Sequence, residues 1–268
     1  MIKIAVLGPE YSYCHILGLK KFANETIVLC KTIPEVYEKV SKDEVEFGLA
    51  PIENMLHGTV RESLVSLQKY KVKINKTFDL PIHLCLASKT DNFNIIISKQ
   101  EALSQCLKLI SRLKKQTQEC SSTSEAMKIA SSDSNYAALG SEEAAKSLNL
   151  KIIGKDVEDN SDNITRFVLI SKKESDLDES KYMRTSLMIL PERDKPGLLY
   201  EILSIFKIRY INLTKIESIP TRKKLGEYEF FMEIEGSLQE ERIISALNLL
   251  KTIHDIYLFG SYELEKIM

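Results

Sequence analysis

The residues best suited to chemistry lie in a few short segments. In Asp159-Asn160-Ser161-Asp162-Asn163-Ile164-Thr165-Arg166-Phe167 a polar loop runs into an apolar strand. Arg166 there offers a two-pronged fork to a carboxylate, and Thr165 a hydroxyl to a leaving group. By residue type alone, a threonine at a strand start is also an ordinary β-former. Ala50-Pro51-Ile52-Glu53-Asn54, followed by His57-Gly58-Thr59-Val60, sets a carboxylate and an amide directly after a strand. Open α/β sheets seat ligands at such strand ends. The competing reading is a turn in which Asn54 satisfies backbone groups and Glu53 faces solvent.

Three further segments are helix starts. Gly8-Pro9-Glu10-Tyr11-Ser12-Tyr13-Cys14-His15 joins a strand to a helix-like stretch. Its turn aims backbone N–H groups and the Ser12 hydroxyl at an anion, unless Ser12 only caps the helix. Ser122-Thr123-Ser124-Glu125 is a capping box, and Gly140-Ser141-Glu142-Glu143 places two acids in a first turn. Capping accounts for both. If both N-termini open into one cleft, they are also carboxylate sites.

The elements that must position these residues alternate in type over the first 170 positions. Short apolar runs at Ile2–Leu7, Phe47–Ala50, Ile95–Ile97, Tyr136–Leu139 and Phe167–Ile170 are separated by amphipathic stretches. That pattern predicts a mostly parallel α/β sheet. Asp79–Ser88 reads as an extended crossover and Phe167–Ile170 as a return strand, so two lobes around a cleft are expected, about 1–79 with 167–171 and about 80–166. A run with seven charges in eleven residues, Ser171–Lys181, marks a linker, set at 172–183. Beyond it, 184–268 reads as strand Thr185–Leu190, helix Gly197–Lys207, strands Asn212–Ser218 and Tyr228–Glu235, helix Leu238–Lys251 and strand Asp255–Phe259. This βαββαβ order is the ferredoxin-like unit.

Composition removes several classes of function. Lys and Arg total 37 against 38 Asp and Glu, so no global field favours nucleic acid or an acidic membrane. The ten glycines fall at least ten residues apart, which excludes the glycine-rich signatures of dinucleotide and P-loop binding. Stretches free of charge, such as Tyr11–Leu19, are about half the length of roughly 18 apolar residues that a membrane span needs. The start Met1-Ile2-Lys3 lacks a secretory pattern. Five cysteines without a C-x-x-C pair fit reduced thiols in the cytoplasm, and four scattered histidines suggest no metal.

Taken in order, the segments resemble prephenate dehydratases that carry a C-terminal ACT domain. The matching motifs are G-P-x-x-S-Y-x-H at Gly8–His15, P-I-E-N at Pro51–Asn54, A-L-x-Q-C at Ala102–Cys106, S-T-S-x-A at Ser122–Ala126 and D-x-x-x-N-x-T-R-F at Asp159–Phe167. Pro196–Leu199, Ile211–Ser218 and Tyr228–Phe231 continue the match into the second unit. The resemblance implies a two-lobed, periplasmic-binding-protein-like α/β catalytic domain and a ferredoxin-like regulatory domain. It implies conversion of prephenate to phenylpyruvate with loss of carbon dioxide and hydroxide, without metal or organic cofactor. Thr165 and Arg166 become the catalytic pair. Ser12, Glu53, Asn54, Ser122, Thr123, Gly140, Ser141, Asn163 and Phe167 become substrate contacts. Gly197, Leu198, Leu199, Asn212, Leu213, Glu217 and Ser218 become contacts for phenylalanine, the family's feedback effector.

A homodimer or homotetramer is expected. Departures from the family pattern are Tyr11 where it has glycine, Met55 after the P-I-E-N motif, and Leu198 and Ile219 in the regulatory motifs. Two alternatives stand beside this reading: an arogenate dehydratase with the same site, and a non-enzymatic two-lobed sensor.

Overall fold

The computed structural model describes residues 1–174, 183–192, 195–221 and 226–267. The chain begins β1 (Lys3–Leu7), α1 (Tyr13–Lys21), β2 (Thr26–Cys30), α2 (Ile33–Ser41), β3 (Phe47–Asn54), β4 (Gly58–Thr59), α3 (Arg61–Tyr70) and β5 (Lys73–Pro81). It crosses into a second lobe with β6 (Cys85–Ser88), β7 (Ile95–Ser98), α4 (Gln100–Ser104), α5 (Leu107–Leu113), β8 (Gln116–Glu119), α6 (Thr123–Ser132), β9 (Tyr136–Gly140), α7 (Glu142–Ser147) and β10 (Lys151–Gly154). It then returns through β11 (Ile164–Ser171). The carboxyl-terminal unit is β12 (Met183–Leu190), α8 (Leu198–Lys207), β13 (Leu213–Pro220), β14 (Tyr228–Glu235), α9 (Glu241–Ile253) and β15 (Asp255–Lys266).

Among the described residues the strands form two sheets. The second lobe holds one, in order β10-β6-β9-β7-β8. The other runs β13-β14-β12-β15-β5-β11-β3-β1-β2, so the ferredoxin-like unit and the first lobe share one sheet. The join is β15, whose Glu263–Lys266 pairs in parallel with Lys76–Asp79 of β5. β15 bends where Gly260 has φ +117°, a conformation that disfavours a side chain. A Cβ there would stand 3.1 Å from the Ile74 carbonyl oxygen.

Apolar packing follows the sheet faces. Cys14 and Leu17 of α1 lie on the same face as Phe78, Leu80, Phe167 and Leu169. The opposite face carries Val36, Val40, Leu64 and Leu67 from α2 and α3, with Val168 and Ile170. Met188, Phe231, Phe259 and Tyr262 of the carboxyl-terminal unit join that second core. Each such side chain contributes about 1.5–3 kcal/mol of transfer free energy, so the unit is anchored by burial as well as by strand pairing. Its own helices, α8 and α9, cover the other face through Ile202, Phe206, Ile243 and Leu250.

Several elements differ from the sequence-based expectation. β15 continues seven residues past Phe259 to Lys266, because an alternating charged and apolar stretch finds β5 as partner. β8 (Gln-Thr-Gln-Glu) is exposed throughout; with no apolar face it carries no strand signal and exists by pairing with β7. Gly197 precedes α8 as a left-handed cap with φ +83°, and α9 starts at Glu241 after a turn. Of the expected linker, 175–182 lies outside the described residues.

Candidate active site

One edge of the first-lobe sheet gathers the chemistry-bearing segments. β1 and β3 are parallel and β11 is antiparallel to both β3 and β5. The carboxyl ends of β1, β3 and β5 therefore meet the start of β11. At that edge Asn54 stands opposite Thr165, and Glu53 opposite Arg166. Consecutive strand residues face opposite sides of a sheet. Thr165 accordingly shares the α1 face with Phe167, while Arg166 points to the face that meets the carboxyl-terminal unit.

On the α1 face, amides hold the threonine. Asn54 Nδ2 donates to Thr165 Oγ1 and to Asn163 Oδ1, both at 2.9 Å. Asn54 Oδ1 accepts from the backbone N–H groups of Leu56 and His57, each at 3.0 Å. Asn163, 2 % exposed, passes the chain to the second lobe by donating to Gln105 Oε1 at 3.3 Å. Gln105 Nε2 in turn lies 3.2 Å from His57 Nε2. Thr165 is thus an acceptor towards Asn54, and among the described residues no acceptor takes its proton. Gln105 and His57 are not among the expected site residues; the signal that could have found them is the A-L-x-Q-C motif at Ala102–Cys106 and the His57–Val60 stretch, while their partners lie 58 and 48 positions away.

Two of the expected site residues, the substrate contact Phe167 and the catalytic Arg166, change meaning. Phe167 is 2 % exposed, packed in the apolar core beneath Thr165, and is a support instead of a contact. Arg166 does not present an open fork. Its Nε and Nη2 donate to Asp79 Oδ1 at 2.7 Å and Oδ2 at 2.9 Å, and Nη1 lies 3.5 Å from Glu53 Oε2. Burial disfavours the guanidinium charge, yet Asp79, then Glu233 and Glu53, more than offset it and hold the group firmly protonated. Glu53, in turn, accepts from Lys215 Nζ at 2.6 Å. A cavity of about 360 Å³ opens beside this group, lined by Glu53, Asn54, Met55, Gly58, Asp79, Ile164 and Arg166.

The helix starts behave as caps. Ser12 Oγ donates to the Leu7 carbonyl at 3.0 Å and accepts from the His15 N–H at 3.2 Å. Ser122 accepts from Glu125 N and Ser141 from Ala144 N. Their free N–H groups still present positive dipole ends. Gly140 draws two of these ends together, since a Cβ there would lie 3.3 Å from the Thr123 carbonyl and 3.0 Å from Met127 Cε. Tyr11 takes φ +64°, which accounts for glycine at this position in the family pattern. Its ring packs against the second-lobe core and edge-on to His15, tying the Gly8–His15 turn to both lobes.

The expected effector residues do not converge within one chain. Leu198 is 5 % exposed and Leu199 37 %, Leu213 packs towards α8 and α9, and Asn212 and Ser218 are exposed. Glu217 and Ser218 are consecutive in β13 and so face opposite ways. Ile219 packs against the first-lobe core, away from the helices. A cavity of about 400 Å³ at the head of α8 is lined by Leu198, Tyr228, Phe230 and Asp255 among others. His83, Asp156 and Glu158 bring ligand atoms within 4.8 Å of one another at the crossovers between lobes, a grouping that separations of 73 and 75 positions conceal in the sequence.

A family model described as prephenate dehydratase matches residues 4–175, and one described as ACT domain matches 192–248. The chain is 37 % identical over 238 residues to the prephenate dehydratase of Methanocaldococcus jannaschii, covering 87 % of this chain and 86 % of that one. It is 36 % identical over 268 residues to the bifunctional chorismate mutase/prephenate dehydratase of Aquifex aeolicus, covering 97 % and 73 %. The crystal structure of prephenate dehydratase from Arthrobacter aurescens in complex with L-Phe superposes with a TM-score of 0.89 at 27 % identity, over 98 % of this chain and 90 % of that chain. With both of its units matched and relatives more than a third identical along most of its length, the chain belongs to the prephenate dehydratase family.

Proposed function

We propose that Thr165 assists departure of the prephenate hydroxyl while the surrounding helix ends hold the substrate's two carboxylates. Prephenate loses its ring carboxylate as carbon dioxide and its ring hydroxyl as hydroxide, and aromatisation drives the reaction to phenylpyruvate. The protein has to position a dianion and hydrogen-bond the leaving oxygen. The observation that carries this reading is the Asn54–Thr165 bond, in which the amide donates at 2.9 Å. It occupies a lone pair of the hydroxyl and leaves the proton for the substrate. Threonine is a weak acid, so Thr165 acts as a hydrogen-bond donor during C–O cleavage. The N-termini of α1, α6 and α7 supply the anion-binding N–H groups.

Phenylalanine is the proposed effector, supported by the ACT match and by the relative solved with L-Phe. The proposed assembly is a homodimer or homotetramer formed through the ACT domains. β13 is a sheet edge with Ile216 41 % exposed, and Tyr200 and Tyr210 stand out at 77 % and 90 %. No helix among the described residues is long and apolar enough to cross a membrane. A cytoplasmic location is proposed, consistent with five unpaired thiols. The direct test is ultraviolet detection of phenylpyruvate when purified protein meets prephenate, with arogenate as a parallel substrate. Turnover of prephenate is expected; formation of phenylalanine from arogenate alone would move the assignment to arogenate dehydratase, and inactivity on both would reject it.

A further inference from the structure

Asn54 and Thr165 are each followed or preceded by a residue that grips the ACT domain from the opposite face of the sheet. Glu53 Oε1 accepts from Lys215 Nζ at 2.6 Å, and Arg166 Nη1 lies 3.7 Å from Glu233 Oε1. Lys215 and Glu233 stand opposite each other on β13 and β14. Glu233 also holds Arg184, accepts from Thr214 Oγ1 at 2.5 Å and accepts from the Tyr262 hydroxyl at 2.9 Å. Arg166, Arg184 and Lys215 therefore meet Asp79, Glu53 and Glu233 in one cluster, largely buried except at Glu53, whose side chain is 32 % exposed. The side chains of Lys215 and Glu233 are only 10 % and 5 % exposed. Lys215 pairs with the partly exposed Glu53, and Glu233 with Arg184 and Arg166; a buried Lys215 or Glu233 that lost its partner would be left as an uncompensated charge.

The paired strands convert that grip into geometry at the catalytic face. Glu53 and Arg166 are opposite each other, one peptide away from Asn54 and Thr165, and neighbouring Cα atoms are held about 3.8 Å apart by covalent geometry. We infer that Lys215 and Glu233 of the ACT domain are positioning residues for the dehydratase reaction. By holding Glu53 and Arg166 on one face, they set the distance and direction between the Asn54 amide and the Thr165 hydroxyl on the other. The inference rests on the role proposed for Thr165. Its consequence is specific: loosening the grip lowers kcat and leaves KM nearly unchanged, since the helix ends that hold the carboxylates belong to other elements. A ligand that shifts β13 and β14 against β3 slows turnover by the same route.

The test uses the full chain with Lys215→Met and Lys215→Arg, steady-state kinetics on prephenate, and thermal unfolding of each variant. Misplacing a catalytic group by about 1 Å costs about 10²-fold, so Lys215→Met is expected to lose roughly 10–100-fold in kcat with KM within about twofold. Lys215→Arg, which keeps the charge, is expected to recover most of the loss. A folded Lys215→Met protein with unchanged kcat, or with its loss carried by KM, overturns the inference. If Lys215→Met does not fold, Lys215→Gln keeps a neutral donor towards Glu53 and decides in the same way: a kcat loss supports the inference and unchanged kcat overturns it. An inactive unmodified protein would bring down the dehydratase reading itself, whereas an active one with insensitive Lys215 variants overturns this inference alone.

Discussion

Replacing Asn54 by aspartate changes one atom type and reverses the logic of the catalytic face. The acceptor bonds from the Leu56 and His57 N–H groups, both 3.0 Å, survive in Asn54→Asp, so the turn keeps its shape. The second oxygen takes the place of Nδ2, which donates at 2.9 Å to both Thr165 Oγ1 and Asn163 Oδ1. A carboxylate can only accept there. The Thr165 proton turns towards the introduced carboxylate and is lost to the substrate, and Asn163 must flip, forcing Gln105 to flip as well. Both bonds are then re-formed with their direction reversed, so the stability cost stays within about 1 kcal/mol, the scale of a single hydrogen bond. Positioned proton donation contributes about 10²–10⁴ in rate, or about 3–5 kcal/mol of barrier at about 1.36 kcal/mol per decade. The activity loss therefore exceeds the stability loss. Phenylpyruvate absorbance gives kcat and KM, and Thr165→Ala is expected to match the kcat loss. Because both variants remove the same donor, the double variant is expected to be no slower than either single one. A folded Asn54→Asp protein with kcat within about threefold of the unmodified one, or a double variant whose losses multiply, would refute the assignment of Thr165 as donor.

Arg166→Lys replaces a two-pronged bond to Asp79 by a point charge; it is expected to lower the melting temperature and kcat, and a variant altered in KM alone would show that Arg166 meets substrate. Burial pushes the thiols of Cys14, Cys85 and Cys106 up to about 12 and that of Cys30 to about 11, while Cys120 is half-buried. A thiol reagent should therefore titrate one cysteine quickly in the native chain and five in denaturant, and rapid native labelling of two or more contradicts this. Desolvation lowers the pKa of His15 from 6.5, and its Nδ1 accepts from Tyr11 N at 3.0 Å. The folded state then binds fewer protons than the unfolded one, so this residue's stabilisation is complete above pH 6.5 and is lost as pH falls below it. The drop in melting temperature from about pH 6.5 to 5 should shrink in His15→Gln; equal drops would dismiss the linkage.

Local chemistry was legible wherever the residues themselves carry the signal. The apolar runs of β1, β3, β7, β9 and β11 announce buried strands, Ser12, Ser122 and Ser141 announce caps, and the spacing around Asn163-Ile164-Thr165-Arg166 announces a polar edge on an apolar strand. The same holds for the βαββαβ order after the linker. What the tertiary structure decided were questions of facing and partnership. Alternation requires Thr165 and Arg166 to point oppositely, but which neighbours each of them meets depends on α1 packing one side of the sheet and the ACT domain the other. Arg166 looked free because Asp79 lies 87 positions away, and Lys215 became a neighbour of Glu53 only because β15 runs on to pair with β5 and merge two sheets. A chain encodes its periodicities and side-chain types locally; which carboxylate finds which cation is fixed by burial, where long-range strand pairing brings unlike charges into a space that water has left.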